Sequence, residues 1–394
     1  MTQTTAVSNE QITDLLVLPY LNHAVRMYAE GYASRADIDA AMRYGCGYPA
    51  GPLAVVEQLG IAAVRDQLAA RFADTGDELH RPADLLERLA DEGAAALEQD
   101  AGEAGVPAPQ LRHEIRGVGV VGTGTMASGI VEVFAKAGYD VVFVGRSQEK
   151  LDAVVAGITR SLDKAIARGK LTEDDKAQVL GRITGATSRE ALGDADLVVE
   201  AIAEDLEVKT ELFGDLDRIA KAGAVLATTT SSLPIKACAA ATSRPESVIG
   251  MHFFNPAPVM KLVEVVTTEQ TAPEVDETTR ALCATLGKVA VSCGDRAGFI
   301  VNALLFPYLN DAVKLHEQGV PLTVIDAAVK EQAELPMGPF ELLDVVGNDV
   351  SLAIQKELLA EFGHAGFTPA PLLERVVAEG RLGRKTRHGF HDYR

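Results

Sequence analysis

Positive charge is scarce in this chain. Against 56 aspartates and glutamates stand 37 lysines and arginines, a formal net charge of −19 over 394 residues. Binding nucleic acid or an anionic membrane needs clustered lysine and arginine, so neither is an expected partner, and an anionic substrate requires a local basic patch. Cysteine is scarce too. Cys46, Cys238, Cys283 and Cys293 form no Cys-x-x-Cys pair and no regular metal spacing, which leaves no metal site to expect and ordinary buried or free thiols. No apolar run reaches membrane-span length. The opening MTQTTAVSNEQITDLLVL has no basic segment followed by a long apolar stretch, so a soluble cytoplasmic protein is expected. Long biased tracts are missing, and 47% hydrophobic residues supply cores for two or three domains.

What is present begins at Arg116 with RGVGVVGTGTMASGIVEVFAKAGYDVVFVGRS. Val118, Val120 and Val121 read as a buried parallel strand. Gly122 permits a tight turn, Gly124 lets the backbone approach a pyrophosphate at the start of the next helix, and Ala127 packs that helix on the strand. A second apolar strand, Val141 to Val144, follows on schedule. Strand, glycine turn, helix and strand together predict a dinucleotide site, with Gly122, Thr123, Gly124, Thr125 and Met126 at the cofactor.

Further strand candidates, Asp196 to Ile202, Ala224 to Ala227, Val248 to Met251 and Leu262 to Val266, alternate with helical stretches and predict a doubly wound sheet. The flanks are helical. The predicted domains are a helical domain over 1–100, a linker over 101–115, a Rossmann-type α/β domain over 116–296 and a second helical domain over 297–394.

The two helical zones are copies of each other. LPYLNHAV at Leu18 returns as FPYLNDAV at Phe306, IDAAM at Ile38 as IDAAV at Ile325, YPAGPLAVVEQLG at Tyr48 as LPMGPFELLDVVG at Leu335, and PADLLERLADEG at Pro82 as PAPLLERVVAEG at Pro369. Order and spacing agree with one slip after Gly319, which two unrelated amphipathic helices would not share.

A base for alcohol oxidation is also visible. Hydride departure from a secondary alcohol requires loss of the hydroxyl proton to a group titrating near neutrality. His252 ends the strand VIGMH on the side where open α/β sheets bind ligands, and Glu264, in KLVEVV of the next strand, is placed to accept its ring N–H. A core histidine with a satisfied partner is the bland alternative.

With these motifs in order, the chain resembles the short-chain L-3-hydroxyacyl-CoA dehydrogenase family. The resemblance rests on GTGTMASGI at Gly122, VVEAIAEDLEVKTELF at Val198, TTTSSLPI at Thr228, GMHFFNPAPVMKLVEVV at Gly250, DRAGFIVNALLFPYLNDAV at Asp295, PMGPFELLDVVG at Pro336 and GRKTRHGFHDY at Gly383. It implies a Rossmann-type domain followed by a helical domain that caps the substrate cleft and forms a dimer interface. It also implies an acyl-CoA substrate, His252 and Glu264 as a catalytic dyad, Ser231 and Asn302 at the substrate oxygen, and Glu204 and Lys209 near the cofactor and the CoA moiety. Taken singly, Ser231 and Asn302 also read as cap or turn residues, and Glu204 and Lys209 as a solvated helix face.

The chain departs from the family pattern in places. Thr229 replaces the usual Asn, Ala303 replaces an Arg that often follows the Asn, and Ala333 to Leu335 replace a Gly-Tyr that the N-terminal copy keeps as GCGYPAGP. After the second strand, where NAD enzymes place a carboxylate about twenty residues past the glycine turn, stand Gly145, Arg146 and Ser147. Arg146 and Ser147 suit a 2′-phosphate, so NADP(H) is favoured over NAD(H); Arg146 stacked on adenine with NAD bound is the alternative.

The leading expectation is a 3-hydroxyacyl-CoA dehydrogenase of the 3-hydroxybutyryl-CoA type. The same dyad acting on a free hydroxy acid or an acyl carrier protein thioester is the runner-up, and a catalytically silent cofactor-binding assembly protein the third reading. Homo-oligomers are compatible with the sequence. Because the family's helical domain dimerises, the two copies are expected to pair within the chain, with residues near Tyr20 and Pro49 against those near Tyr308 and Pro336. Asp14 occupies the place of Asn302 in the N-terminal copy, so a second active site is not expected there.

Overall fold

The computed structural model describes residues 7–97 and 108–394, so the predicted linker, 101–115, lies partly outside the described residues. Ser8 starts the first helix with a capping box, its hydroxyl accepting from the Gln11 amide while the Gln11 side chain accepts from the Ser8 N–H. The N-terminal copy then runs through α1 (Asn9–Ala29), α2 (Arg35–Gly45), α3 (Pro52–Leu59), α4 (Ile61–Thr75) and α5 (Asp84–Asp91). Its joints follow from its breakers. Pro52 sits in the first turn of α3, where its missing N–H costs nothing. Gly51 lies so near Asp39 that a β-carbon there would stand 2.2 Å from it.

The next unit, Ala104–Asp295, contains β1 (Gly117–Val121), α6 (Thr125–Lys136), β2 (Asp140–Val144), α7 (Gln148–Ala167), α8 (Glu173–Gly181), β3 (Ile183–Ala186), β4 (Leu197–Glu200), α9 (Leu206–Ile219), β5 (Val225–Thr228), α10 (Ile235–Ala240), β6 (Val248–Phe253), β7 (Leu262–Thr267), α11 (Pro273–Thr285) and β8 (Val289–Gly294). One sheet has the order β3-β2-β1-β4-β5-β6-β7-β8. Its central strands are valine-rich and buried along their length, as expected with helices on both faces. The strand order reverses between β1 and β4, which opens a crevice at the carboxyl ends of those strands. All neighbours are parallel except β6 and β7; the short connection between those two has no room for a crossover helix. The sequence reading missed β3 and β8 because both are edge strands without an uninterrupted apolar run. The tail of the predicted linker is anchored, with the Gln110 amide donating to Glu277 and the Arg112 amide to Thr278 on α11.

The chain closes with α12 (Val301–Glu317), α13 (Leu322–Gln332), α14 (Pro339–Val346), α15 (Asn348–Phe362) and α16 (Pro371–Ala378). These form a single compact unit with the N-terminal copy. The repeat is structural as well as sequential. Asn22 donates to the Leu79 and Arg81 carbonyls and accepts from the Ala83 amide; Asn310 donates to the Thr368 carbonyl and accepts from the Ala370 amide. Asp39 accepts from the Leu53 amide as Asp326 does from the Phe340 amide. Where the Gly-Tyr pattern is lost, the backbone shape survives: Glu334 has φ 53°, against 70° at Gly47 in the other copy, and holds a left-handed conformation that glycine adopts without steric cost.

The copies meet face to face. Tyr20 and Tyr308 contact edge-on with centroids 6.3 Å apart. The Thr13 hydroxyl reaches the Ala328 carbonyl at 3.3 Å, and a β-carbon on Gly47 would lie 3.8 Å from Pro336. The pairing expected near Tyr20, Pro49, Tyr308 and Pro336 is thus present within one chain. Beyond α16, the GRKTRHGFHDY segment is gathered around the buried Asp344, whose carboxylate accepts from the Phe390 and His391 amides and the Tyr393 hydroxyl. Among the described residues no helix is long and apolar enough to cross a membrane.

Candidate active site

The glycine turn after β1 is shaped by close approach. Gly122 has φ 135°, and a β-carbon there would lie 2.4 Å from the Ala201 carbonyl oxygen, so no larger residue fits between β1 and β4. Gly124, by contrast, faces open space. It caps α6 without any side-chain hydrogen bond, so the first-turn amides stay available to an anion. Thr123 and Met126 are half-buried beside the turn and Thr125 is exposed. At the end of β2, a β-carbon on Gly145 would stand 2.5 Å from the Thr123 methyl group, which explains the glycine there. Arg146 is exposed, and the Ser147 hydroxyl accepts from the Lys150 amide at the start of α7. These residues fit a dinucleotide, with open first-turn amides at the glycine turn and the exposed Arg146 cation just after β2.

His252 and Glu264 stand directly opposite each other in the antiparallel β6–β7 pair, so both side chains project from the same face of the sheet. His252 Nδ1 lies 2.6 Å from Glu264 Oε2, with the glutamate fully buried. The other ring nitrogen, Nε2, lies 3.2 Å from the Ser231 hydroxyl. A carboxylate on Nδ1 fixes that proton and leaves Nε2 with its lone pair toward Ser231. Phe254 meets the imidazole edge-on at 4.7 Å and completes its packing.

Ser231 is held by a hydrogen-bond network that the sequence reading did not foresee. One oxygen of Glu204 accepts from the Thr230 hydroxyl at 2.5 Å and from the Ser231 amide at 2.8 Å. Burial alone would raise the Glu204 pKa, but the Lys209 ammonium and the bonds from Thr230 and Ser231 outweigh it and hold the carboxyl below its ordinary range. Lys209 itself is closed in. Its ammonium lies 2.7 Å from the buried Glu200 and 3.3 Å from Glu204, and Glu200 also accepts from the Thr228 hydroxyl at 2.6 Å. The alternative reading of Lys209 as part of a solvated helix face is therefore corrected, because the side chain is buried and its charge is spent on the buried Glu200 and the exposed Glu204. The signal was in AEDLEVK, where helical spacing returns Lys209 toward β4.

Asn302 belongs to the helical unit, in the first turn of α12, and is largely buried. The chain reaches it through Gly298, φ 75°, and Phe299, φ 48°.

The family profile for 3-hydroxyacyl-CoA dehydrogenase, NAD binding domain, matches residues 117–296, and the profile for 3-hydroxyacyl-CoA dehydrogenase, C-terminal domain, matches twice, at 12–104 and 298–393. The chain belongs to the 3-hydroxyacyl-CoA dehydrogenase family. The dehydrogenase is 44% identical over 275 residues to a 3-hydroxybutyryl-CoA dehydrogenase of Clostridioides difficile, covering 70% of this chain and 98% of that protein. It is 44% identical over 293 residues to the mitochondrial hydroxyacyl-coenzyme A dehydrogenase of Mus musculus, covering 71% and 92%. A crystal structure of (S)-3-hydroxybutyryl-CoA dehydrogenase from Ralstonia eutropha superposes with TM-score 0.70 at 40% identity, covering 71% of this chain and all of that one. This dehydrogenase is an oxidoreductase of 3-hydroxyacyl-CoA that uses a nicotinamide cofactor.

Two departures from the family pattern are accommodated locally in the dehydrogenase. The Thr229 hydroxyl accepts weakly from the Phe253 amide at 3.5 Å. Ala303 is fully buried, with its amide on the Gly298 carbonyl.

Proposed function

We propose that the dehydrogenase interconverts a short L-3-hydroxyacyl-CoA and the 3-ketoacyl-CoA, with His252 as general base and acid and NADP(H) as the preferred cofactor. The observation that carries this reading is the line Ser231, His252, Glu264, with one hydroxyl, one imidazole and one buried carboxylate in hydrogen-bond reach.

In the oxidative direction Nε2 of His252 takes the substrate hydroxyl proton, and Glu264 stabilises the resulting imidazolium across Nδ1. The Ser231 hydroxyl donates to the substrate oxygen and keeps it at Nε2, while Glu204 and Lys209 keep Ser231 in place. In the reductive direction His252 returns the proton, and the Asn302 amide polarises the carbonyl. When bound, the nicotinamide accepts or supplies the hydride. Gly122, Thr123, Gly124, Thr125 and Met126 would hold its pyrophosphate, and Arg146 with Ser147 would hold a 2′-phosphate by charge and hydrogen bonds.

Initial rates with acetoacetyl-CoA and each reduced nicotinamide, set against rates with free acetoacetate, test the proposal. Faster turnover of the thioester with NADPH supports it. Preference for the free acid overturns the substrate assignment, and preference for NADH overturns the cofactor assignment.

A further inference from the structure

The two compact units join, among the described residues, at the peptide between Asp295 and Arg296, and each side of that bond is gripped by a different unit. Asp295 is held in the sheet unit, its carboxylate accepting from the Ile235 amide at 3.0 Å and the Lys236 amide at 2.7 Å. Arg296 is held in the helical unit. Its guanidinium lies 2.8 Å from Glu30, 3.9 Å from the Tyr32 ring centroid and 5.1 Å from the Phe362 ring. Glu30 and Tyr32 come from the N-terminal copy, just after α1, and Phe362 from the end of α15.

Arg296 is coupled tightly to the catalytic helix. Its carbonyl accepts from the Phe299 amide, and a β-carbon on Gly298 would lie 2.9 Å from both the Ala303 amide nitrogen and Leu358. The chain between Arg296 and Asn302 has little freedom. Fixing Arg296 therefore fixes the start of α12.

The clamp exists on one side of the repeat only. The residue equivalent to Arg296 is Ser8, which merely caps α1. The residue equivalent to Glu30 is Gln318, and VPLTV after Gly319 supplies no aromatic where the N-terminal copy has Tyr32. A symmetric pair of identical helical domains would have to use one sequence in both roles. Duplication within one chain removes that constraint.

We propose that Glu30 and Tyr32 are positioning residues for the reaction: by holding Arg296 they hold the start of α12, which carries Asn302, so the N-terminal copy governs turnover. The proposal rests on the dehydrogenase reading above. Reacting groups must be held to fractions of an ångström, and small misplacements from remote changes are costly in rate.

The test uses full-length Tyr32→Leu, Tyr32→Phe and Glu30→Gln, with kcat, KM, cofactor Kd, thermal midpoint and amide hydrogen exchange over residues 298–304. Tyr32→Leu is expected to lower kcat about 10- to 100-fold, with cofactor Kd and thermal midpoint near wild type and faster exchange over 298–304. Tyr32→Phe, which keeps the ring under the guanidinium, restores most of the rate, and Glu30→Gln gives a smaller loss. Wild-type kcat in Tyr32→Leu, or a loss that follows a lowered midpoint and is not rescued by Phe, overturns the proposal. If the wild-type protein turns over no 3-ketoacyl thioester, the dehydrogenase reading fails by itself. In that case unchanged exchange over 298–304 in Tyr32→Leu overturns the clamp separately.

Discussion

Tyr20 and Tyr308 hold the same position in two copies of one sequence, and their rings meet edge to face at 6.3 Å. A residue that touches its own repeat equivalent lies at a pseudo-two-fold axis, the geometry of an isologous dimer interface. Here the axis is internal to one chain. The apolar face that a single helical copy would expose is covered by a partner tethered in cis, independent of protein concentration.

Removing residues 1–107 uncovers that face on α12 and α13. The truncated protein is expected to dimerise or aggregate under conditions where the full chain does not, as read by light scattering after size-exclusion chromatography. An unchanged association state, stability and activity would make the N-terminal copy an independent appended module.

His252→Ala should lower turnover by about 100- to 10,000-fold, the usual worth of a positioned general base. Cofactor affinity should hold, since the glycine turn after β1 is separate from β6. Glu264→Gln should also be impaired. Stopped-flow rates with acetoacetyl-CoA and cofactor titration by fluorescence check both, and ordinary rates in the two variants would disprove the dyad.

Arg146→Ala should weaken NADPH by about 1.5–3 kcal/mol, the range for a charge-assisted hydrogen bond, and leave NADH nearly unchanged. Calorimetric titration with each cofactor distinguishes a phosphate contact from adenine stacking, because stacking loss affects both equally.

His23 gives a pH dependence of stability. Burial first, then the nearby Arg296 and Arg26 charges, lowers its pKa to about 3, below the unfolded value of about 6.5. The unfolded chain therefore binds the proton more readily between those values. Stability should be intact above pH about 6.5 and fall as the pH drops toward 3, by at most about 1.4 kcal/mol per pH unit from this residue. Thermal midpoints of wild type and His23→Leu across pH 4–7 check this, and equal slopes in the two proteins would dismiss it.

Much of the fold and site was legible because it depends on local pattern. The valines of β1 and β2, the Gly122 turn and the Pro-x-Gly-Pro joints each announce a backbone state that few residues permit. The repeat was legible by self-comparison, and with Tyr20 and Tyr308 it named both sides of the interface. Less was readable where charge is settled by long-range packing. Lys209 reads as a surface residue of an amphipathic helix, yet it is spent on Glu200 and Glu204; Arg296 reads as one more basic residue ahead of a glycine.

By itself the sequence determined the strand–turn–helix cradle, the duplicated helical hardware and the placing of a histidine and a glutamate on successive strands, since each follows from spacing along the chain. Only the tertiary structure decided that β6 and β7 run antiparallel with His252 facing Glu264, that Glu204 orders the Ser231 loop, and that Glu30 and Tyr32 close on Arg296 from 266 and 264 residues away. Those contacts depend on which surfaces the collapsed chain brings within about 3–4 Å, and no local preference of the residues records that.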